Sequence, residues 1–296
     1  MGREQIIACL IVGLWAAGII GCTREHPITV GSKNFTEQVI LGEIVAQHLE
    51  HRLARKVDRK LNLGGTLLAH QALVNGEIDL YPEYTGTALT TVLKLPPSTD
   101  PAAVMARVRA EYLARFGIHW LDPLGFNNTF AMVIRGEDAR QHRIESLSVA
   151  AQYKPGWTLG MGYEFEQRSD GLAGLLKTYN LPLKGSPKTM DLGLLYKALE
   201  QQQVNMVAAN ATDGMLSILD VVVLQDDKRY FPPYECVLAV RGETLNKHPL
   251  LRQALNELAG QFSDVTMRKL NYQVDGEHRS VRDVAGQFLR ERGLLR

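Results

Sequence analysis

An excess of charge of either sign is missing from this chain of 296 residues: 33 Lys and Arg stand against 32 Asp and Glu, a net charge of +1. That balance removes the electrostatic footing for nucleic acid or an anionic membrane face. Catalytic signatures are missing as well. No G-x-S-x-G, H-E-x-x-H or C-x-x-C occurs, and Gly160-Met161-Gly162 lacks the third glycine of a dinucleotide turn. His48 and His51 share one face of a helical pattern but have no evident third ligand, so they read as solvated side chains rather than a metal pair. These absences argue against an enzyme and against any metal or cofactor. Past residue 21 no apolar run approaches the ~20 residues of a transmembrane helix, so the body is expected to be soluble. Internal repeats and low-complexity segments are also absent.

What is present begins with residues 1–21, where Ile6 to Ile20 forms an apolar run of about the length of a signal h-region. It ends in Gly21-Cys22 and then turns polar, and in this it resembles a bacterial lipoprotein signal with Cys22 as the acylated residue. Cleavage there removes Cys9 and leaves the mature protein Cys22 and Cys236, one for lipid and one without a partner. An exported protein with no disulfide rests on its core alone. The mature protein is therefore expected outside the cytoplasm, in the periplasm or on the outer face of the cell membrane, and held there only by lipid.

Along the body, short apolar strands alternate with helical patterns, which predicts an α/β fold. Strands are expected at 28–30, 57–63, 78–81, 129–135, 157–161, 204–208, 221–224 and 236–241. Helices are expected after Asn34, whose spacing to Glu37 is a helix-start signature. Others fall at 66–74, from Asp100-Pro101 to Phe116, and around 146–153, 170–179, 191–202, 249–261, 263–273 and 278–292. Polar and Gly-rich turns follow the carboxyl ends of strands, where open α/β sheets bind ligands. Pro-containing stretches near 122–128 and 229–234 mark crossings between two lobes.

Four segments carry a family resemblance. They are Gly31-Ser32-Lys33-Asn34-Phe35-Thr36-Glu37-Gln38, the run from Gly76 to Thr87 centred on Tyr81-Pro82-Glu83-Tyr84-Thr85-Gly86, then Thr212-Asp213-Gly214, and Phe231-Pro232-Pro233-Tyr234. The chain from about residue 28 onward resembles the glycine betaine/choline-binding proteins of osmoprotectant ABC transporters. The resemblance implies a two-lobed type II periplasmic-binding-protein fold with two interlobe crossings. Lobe one would hold residues 27–126 and 232–296, and lobe two residues 127–231. It further implies a monomer that captures a quaternary-ammonium small molecule and delivers it to a membrane permease.

The chemistry of such a ligand accounts for the residue types. A trimethylammonium group has no N–H to donate, so aromatic faces hold it, at roughly 0.5–2 kcal/mol per ring. A carboxylate, where present, needs Lys, Arg or a hydroxyl. By motif, Tyr84, Phe130 and Tyr234 would form the cage walls, Lys33, Thr87 and Arg168 would hold the polar end, and Asn128 would contribute its backbone or side chain. Each has a plainer reading: Phe130 as core, Arg168 as a partner of Asp170, Lys33 as a solvated lysine, Thr87 as a helix-start residue, Tyr84 and Tyr234 as surface tyrosines. At Asn210 many family members carry a cage tyrosine. Its loss predicts either affinity weakened by about 1–2 kcal/mol or a different ligand bonded by Asn210, such as a histidine-derived betaine. Amino acids or polyamines on the same fold are the remaining alternative.

Overall fold

The computed structural model describes residues 27–295. Strands β1 (Ile28–Gly31), β2 (Val57–Lys60), β3 (Leu80–Tyr84) and β4 (Ile118–Trp120) form one sheet together with the late strand β10 (Cys236–Arg241), in the order β2-β1-β3-β10-β4. Strands β5 (Phe130–Arg135), β6 (Leu159–Met161), β7 (Lys188–Thr189), β8 (Met206–Asn210) and β9 (Val221–Val223) form the other, ordered β7-β6-β8-β5-β9. The chain thus leaves the first sheet after Trp120 and returns at Cys236. Two crossings, 121–129 and 224–235, join two α/β units.

Both sheets are covered on two faces, which is why their strands read as near-continuous apolar runs. In Phe130-Ala131-Met132-Val133-Ile134-Arg135, Ala131 and Val133 pack beside Leu195 and Leu199, while Met132 and Ile134 point the other way, toward Trp157, Leu159 and Phe165. The first sheet has Ile40, Leu41 and Ile44 of the Thr36–Leu53 helix over one face, and Leu73, Val104 and Tyr112 over the other.

The local signals of the Pro101–Phe116 helix appear in its ends. Asp100 accepts from Ala102 N at 3.0 Å and Ala103 N at 3.2 Å, and Gly117 closes the helix at φ 64°. Elsewhere tertiary context overrode the local reading. Pro82 suggested that its strand stops at residue 81, yet β3 runs to Tyr84. Its only register pair with β1 is Val30↔Leu80, so beyond Leu80 no ladder partner on that side asks for an N–H at Pro82. Strand β8 lies two residues later than its apolar pattern suggests, because pairing with β5 (Ile134↔Met206 through Phe130↔Asn210) sets its register. Strands β4 and β7, of 3 and 2 residues, are too short to leave a periodic signal. His48 is not solvated. It is 0% exposed and its Nε2 lies 2.8 Å from Ala254 O, under the Leu251–Asn256 helix.

Candidate ligand-binding cleft

A cleft of about 1140 Å³ opens between the two sheets, and Lys33, Tyr84, Thr87, Asn128, Phe130, Arg168, Asn210 and Tyr234 all line it. Each arrives by a different route. Lys33 follows the carboxyl end of β1, and Tyr84 closes β3. Phe130 opens β5 and faces Asn210 at the end of β8. Asn128 and Tyr234 sit on the two crossings, tied to each other by Asn128 N donating to Tyr234 O at 3.1 Å. Tyr234 rests on Gly86, where a Cβ would lie 2.7 Å from Pro233 O and 2.9 Å from the tyrosine ring. Only glycine allows so close an approach.

The aromatic lining falls into two groups of rings. The Phe130 ring meets Tyr234 edge-on at 5.7 Å and Phe165 at 4.8 Å, and Phe35 stacks on Tyr84 at 6.3 Å. The Arg168 guanidinium lies 5.2 Å from the Phe130 ring centroid and 5.4 Å from that of Tyr234, and Lys33 Nζ lies 5.1 Å from that of Tyr84. These rings present faces to cations in the protein itself. Phe130 is partly buried and serves both the wall and the aromatic cluster behind it, so its core and cage readings coexist.

The two basic residues are already engaged. Arg168 donates Nε to Asp170 Oδ1 at 2.8 Å and Nη2 to Oδ2 at 2.6 Å, and it reaches Thr87 Oγ1 at 2.9 Å and Tyr234 Oη at 3.2 Å. Tyr234 in turn donates to Asp170 at 2.5 Å. Burial alone raises the Asp170 carboxyl, but the Arg168 fork outweighs it and holds that carboxyl below its usual range. Lys33 Nζ pairs with Glu83 at 2.5 Å and donates to Thr66 Oγ1 at 3.2 Å. Lys33, 3% exposed, is not the solvated lysine of its plainer reading, whereas Arg168, 8% exposed, does pair with Asp170 as its plainer reading had it.

Sequence reasoning missed two carboxylates that line the same cleft. Glu37, read as a helix-start residue, caps nothing. The N-cap position is Phe35, with no side-chain cap. Instead Glu37 accepts from Tyr84 Oη at 2.6 Å, Asn128 Nδ2 at 2.8 Å, Thr212 Oγ1 at 2.5 Å and Asn271 Nδ2 at 3.1 Å. Burial raises its carboxyl, against the pull of those four donors. Asp213 accepts from Tyr196 Oη at 3.0 Å and Asn210 N at 3.1 Å, and burial pushes it up to about 6. Both lie inside motifs visible in the sequence, but only the fold shows that they face one space. Among the described residues no cluster of His, Cys, Asp and Glu has a metal-binding arrangement, and Cys236 is a buried free thiol.

Two α/β units clasping an aromatic cleft define a solute-binding protein of the two-lobed type. Comparison with known proteins agrees and names the family. Residues 26–291 match the model of the substrate-binding domain of ABC-type glycine betaine transport systems, and the chain belongs to that family. It is 37% identical over 303 residues to the glycine-betaine-binding protein of Pseudomonas aeruginosa, covering 99% of this chain and 95% of that one. It is also 37% identical over 273 residues to the ergothioneine transport permease/ergothioneine-binding protein of Helicobacter pylori, covering 92% of this chain but only 48% of that longer protein. A solved structure described as a glycine betaine/carnitine/choline ABC transporter superposes with a TM-score of 0.78 at 31% identity, over 90% of this chain and 99% of that one.

Proposed function

We propose that this protein captures quaternary-ammonium solutes of the glycine betaine and choline type between its lobes and passes them to the permease of an ABC transporter. The observation that carries the reading is the convergence of Tyr84, Phe130 and Tyr234, from two sheets and a crossing, on one cleft. Aromatic faces suit a methylated cation, which no hydrogen-bond acceptor can grip. Lys33, and Thr87 with the Arg168 that bonds it, serve as the polar end, with Asn128 and Asn210 completing the contacts. The lobes are residues 27–126 with 232–296, and 127–231, and ligand lies between them. The names of the relatives, glycine betaine among them, support this class.

The protein binds and does not catalyse, works as a monomer without a cofactor, and acts outside the cytoplasm. Its tether is lipid on Cys22, which lies outside the described residues. Among those residues no helix is long and apolar enough to cross a membrane. Isothermal titration and thermal unfolding against glycine betaine, choline, carnitine, amino acids and polyamines test the reading. Quaternary compounds at a hundred times their Kd should stabilise the fold by about 2.7 kcal/mol. A response to primary amines alone would end it.

A further inference from the structure

We infer that Asp213, with Asn210 beside it, forms a subsite for a hydrogen-bond donor on the ligand, so that the preferred solute is a quaternary-ammonium compound carrying a ring N–H or hydroxyl rather than a bare trimethylammonium acid. This rests on the reading of the cleft as a quaternary-ammonium site and says what its far wall selects. The inference follows from which donors and acceptors the protein leaves over.

Most of the donor capacity of the two buried cations in the cleft is spent. Arg168 is forked onto Asp170 and also reaches Thr87 and Tyr234, while Lys33 is held by Glu83 and Thr66. Acceptors are in surplus. The amide oxygens of Asn128 and Asn271, both cleft-lining residues less than a tenth exposed, find no donor in the protein. Their amide nitrogens are committed to Glu37, which fixes the orientation of both side chains. Among the described residues Asp213 makes no ion pair: its donors are the neutral Tyr196 hydroxyl, the Asn210 backbone and the Asn210 side chain. Buried polar groups without partners are rare in folded proteins, and in a ligand site the ligand supplies what is missing.

Position completes the case. Asn210 stands opposite Phe130 in the β5–β8 ladder, between that ring and Asp213. A ligand whose ammonium rests on Phe130 and Tyr234 can therefore extend its other substituent along Asn210 to Asp213, Tyr196 and Met215, which line the same cleft. An aromatic side chain at position 210 would cover that route.

Titration calorimetry at about pH 8 can isolate the donor from the bulk of the ligand, using N,N,N-trimethylhistidine, the similarly sized but donor-free N,N,N-trimethylphenylalanine, and glycine betaine. Wild-type protein should bind trimethylhistidine at least roughly tenfold more tightly than trimethylphenylalanine, the scale of a hydrogen bond to a charged acceptor. In Asp213→Asn, which keeps the shape, and Asp213→Ala, the ratio should fall to within about threefold, with circular dichroism reporting that each variant is folded. Equal wild-type affinity for the two aromatic betaines overturns the inference, as does a preference that survives in both variants, or binding of glycine betaine alone. Failure of all three compounds to bind the wild type overturns the quaternary-ammonium reading itself.

Discussion

Tyr234 ties three parts of the cleft together: its ring meets Phe130, its hydroxyl is shared between Asp170 and Arg168, and its backbone is bonded to Asn128. Tyr234→Ala should weaken quaternary-ammonium binding by at least roughly tenfold in calorimetry, since it removes a ring and leaves the Arg168–Asp170 pair less constrained. Tyr234→Phe, which keeps the ring, should retain most of the affinity. Asp213 makes a separate prediction about stability. Its folded carboxyl, at about 6, lies above the ordinary 3.8, so the folded state holds that proton more tightly than the unfolded chain. The stability it contributes is complete below about 3.8 and lost as pH rises through about 6. Between about pH 4 and pH 7.5 the wild type should lose up to about 3 kcal/mol relative to Asp213→Asn in denaturant titrations. Equal pH slopes for the two proteins would place the ionisation elsewhere. The residue types of the cage could be assigned from motifs; that Glu37 accepts from four segments instead of capping its helix could not, because Tyr84, Asn128, Thr212 and Asn271 are brought to it only by folding.

Among elements, two glycines govern how segments meet. A Cβ on Gly86 would press on the Pro233 carbonyl and the Tyr234 ring, so Gly86→Ala should displace that ring and lower ligand affinity severalfold, measured by calorimetry. A Cβ on Gly214 would meet Tyr272 N at 2.4 Å and Cα at 2.6 Å, main-chain atoms of the Asp264–Asp275 helix that cannot swing aside. Gly214→Ala should cost about 1–3 kcal/mol, read as a lower Tm. Element types were largely legible, because apolar alternation and caps are local. Boundaries were less so. The sequence marks Pro82 as a strand breaker, and only the absence of a β1 neighbour beyond Leu80 makes it harmless.

For the whole molecule, contacts bridge the lobes around the cleft. Glu164 accepts from Thr66 N at 2.8 Å, Thr90 donates to Asp170 at 2.9 Å, and Arg268 Nε and Asn271 Nδ2 donate to the carbonyls of Ala211 and Thr212 at 2.7 Å and 2.8 Å. Each is worth about 1 kcal/mol net, enough together to set the balance between closed and open forms. Glu164→Ala should therefore enlarge the ligand-free radius of gyration in solution scattering, and saturating glycine betaine should restore the wild-type value. Identical scattering from the two proteins without ligand would show that this rim contact does not hold the lobes.

The amino-acid sequence by itself determined the α/β alternation, the absence of a disulfide framework in the body, and the residue types able to hold a methylated cation, since all three follow from local patterns and side-chain chemistry. Tertiary structure alone decided which of those side chains have a free valence. Lys33 is cationic in any sequence reading, but Glu83 occupies it only once β1 and β3 are packed side by side, and the local Arg168–Asp170 pair meets Thr87, Thr90 and Tyr234 only across the cleft. Pairing in space is set by sheet order and lobe approach, and neither is a property of any window of the chain.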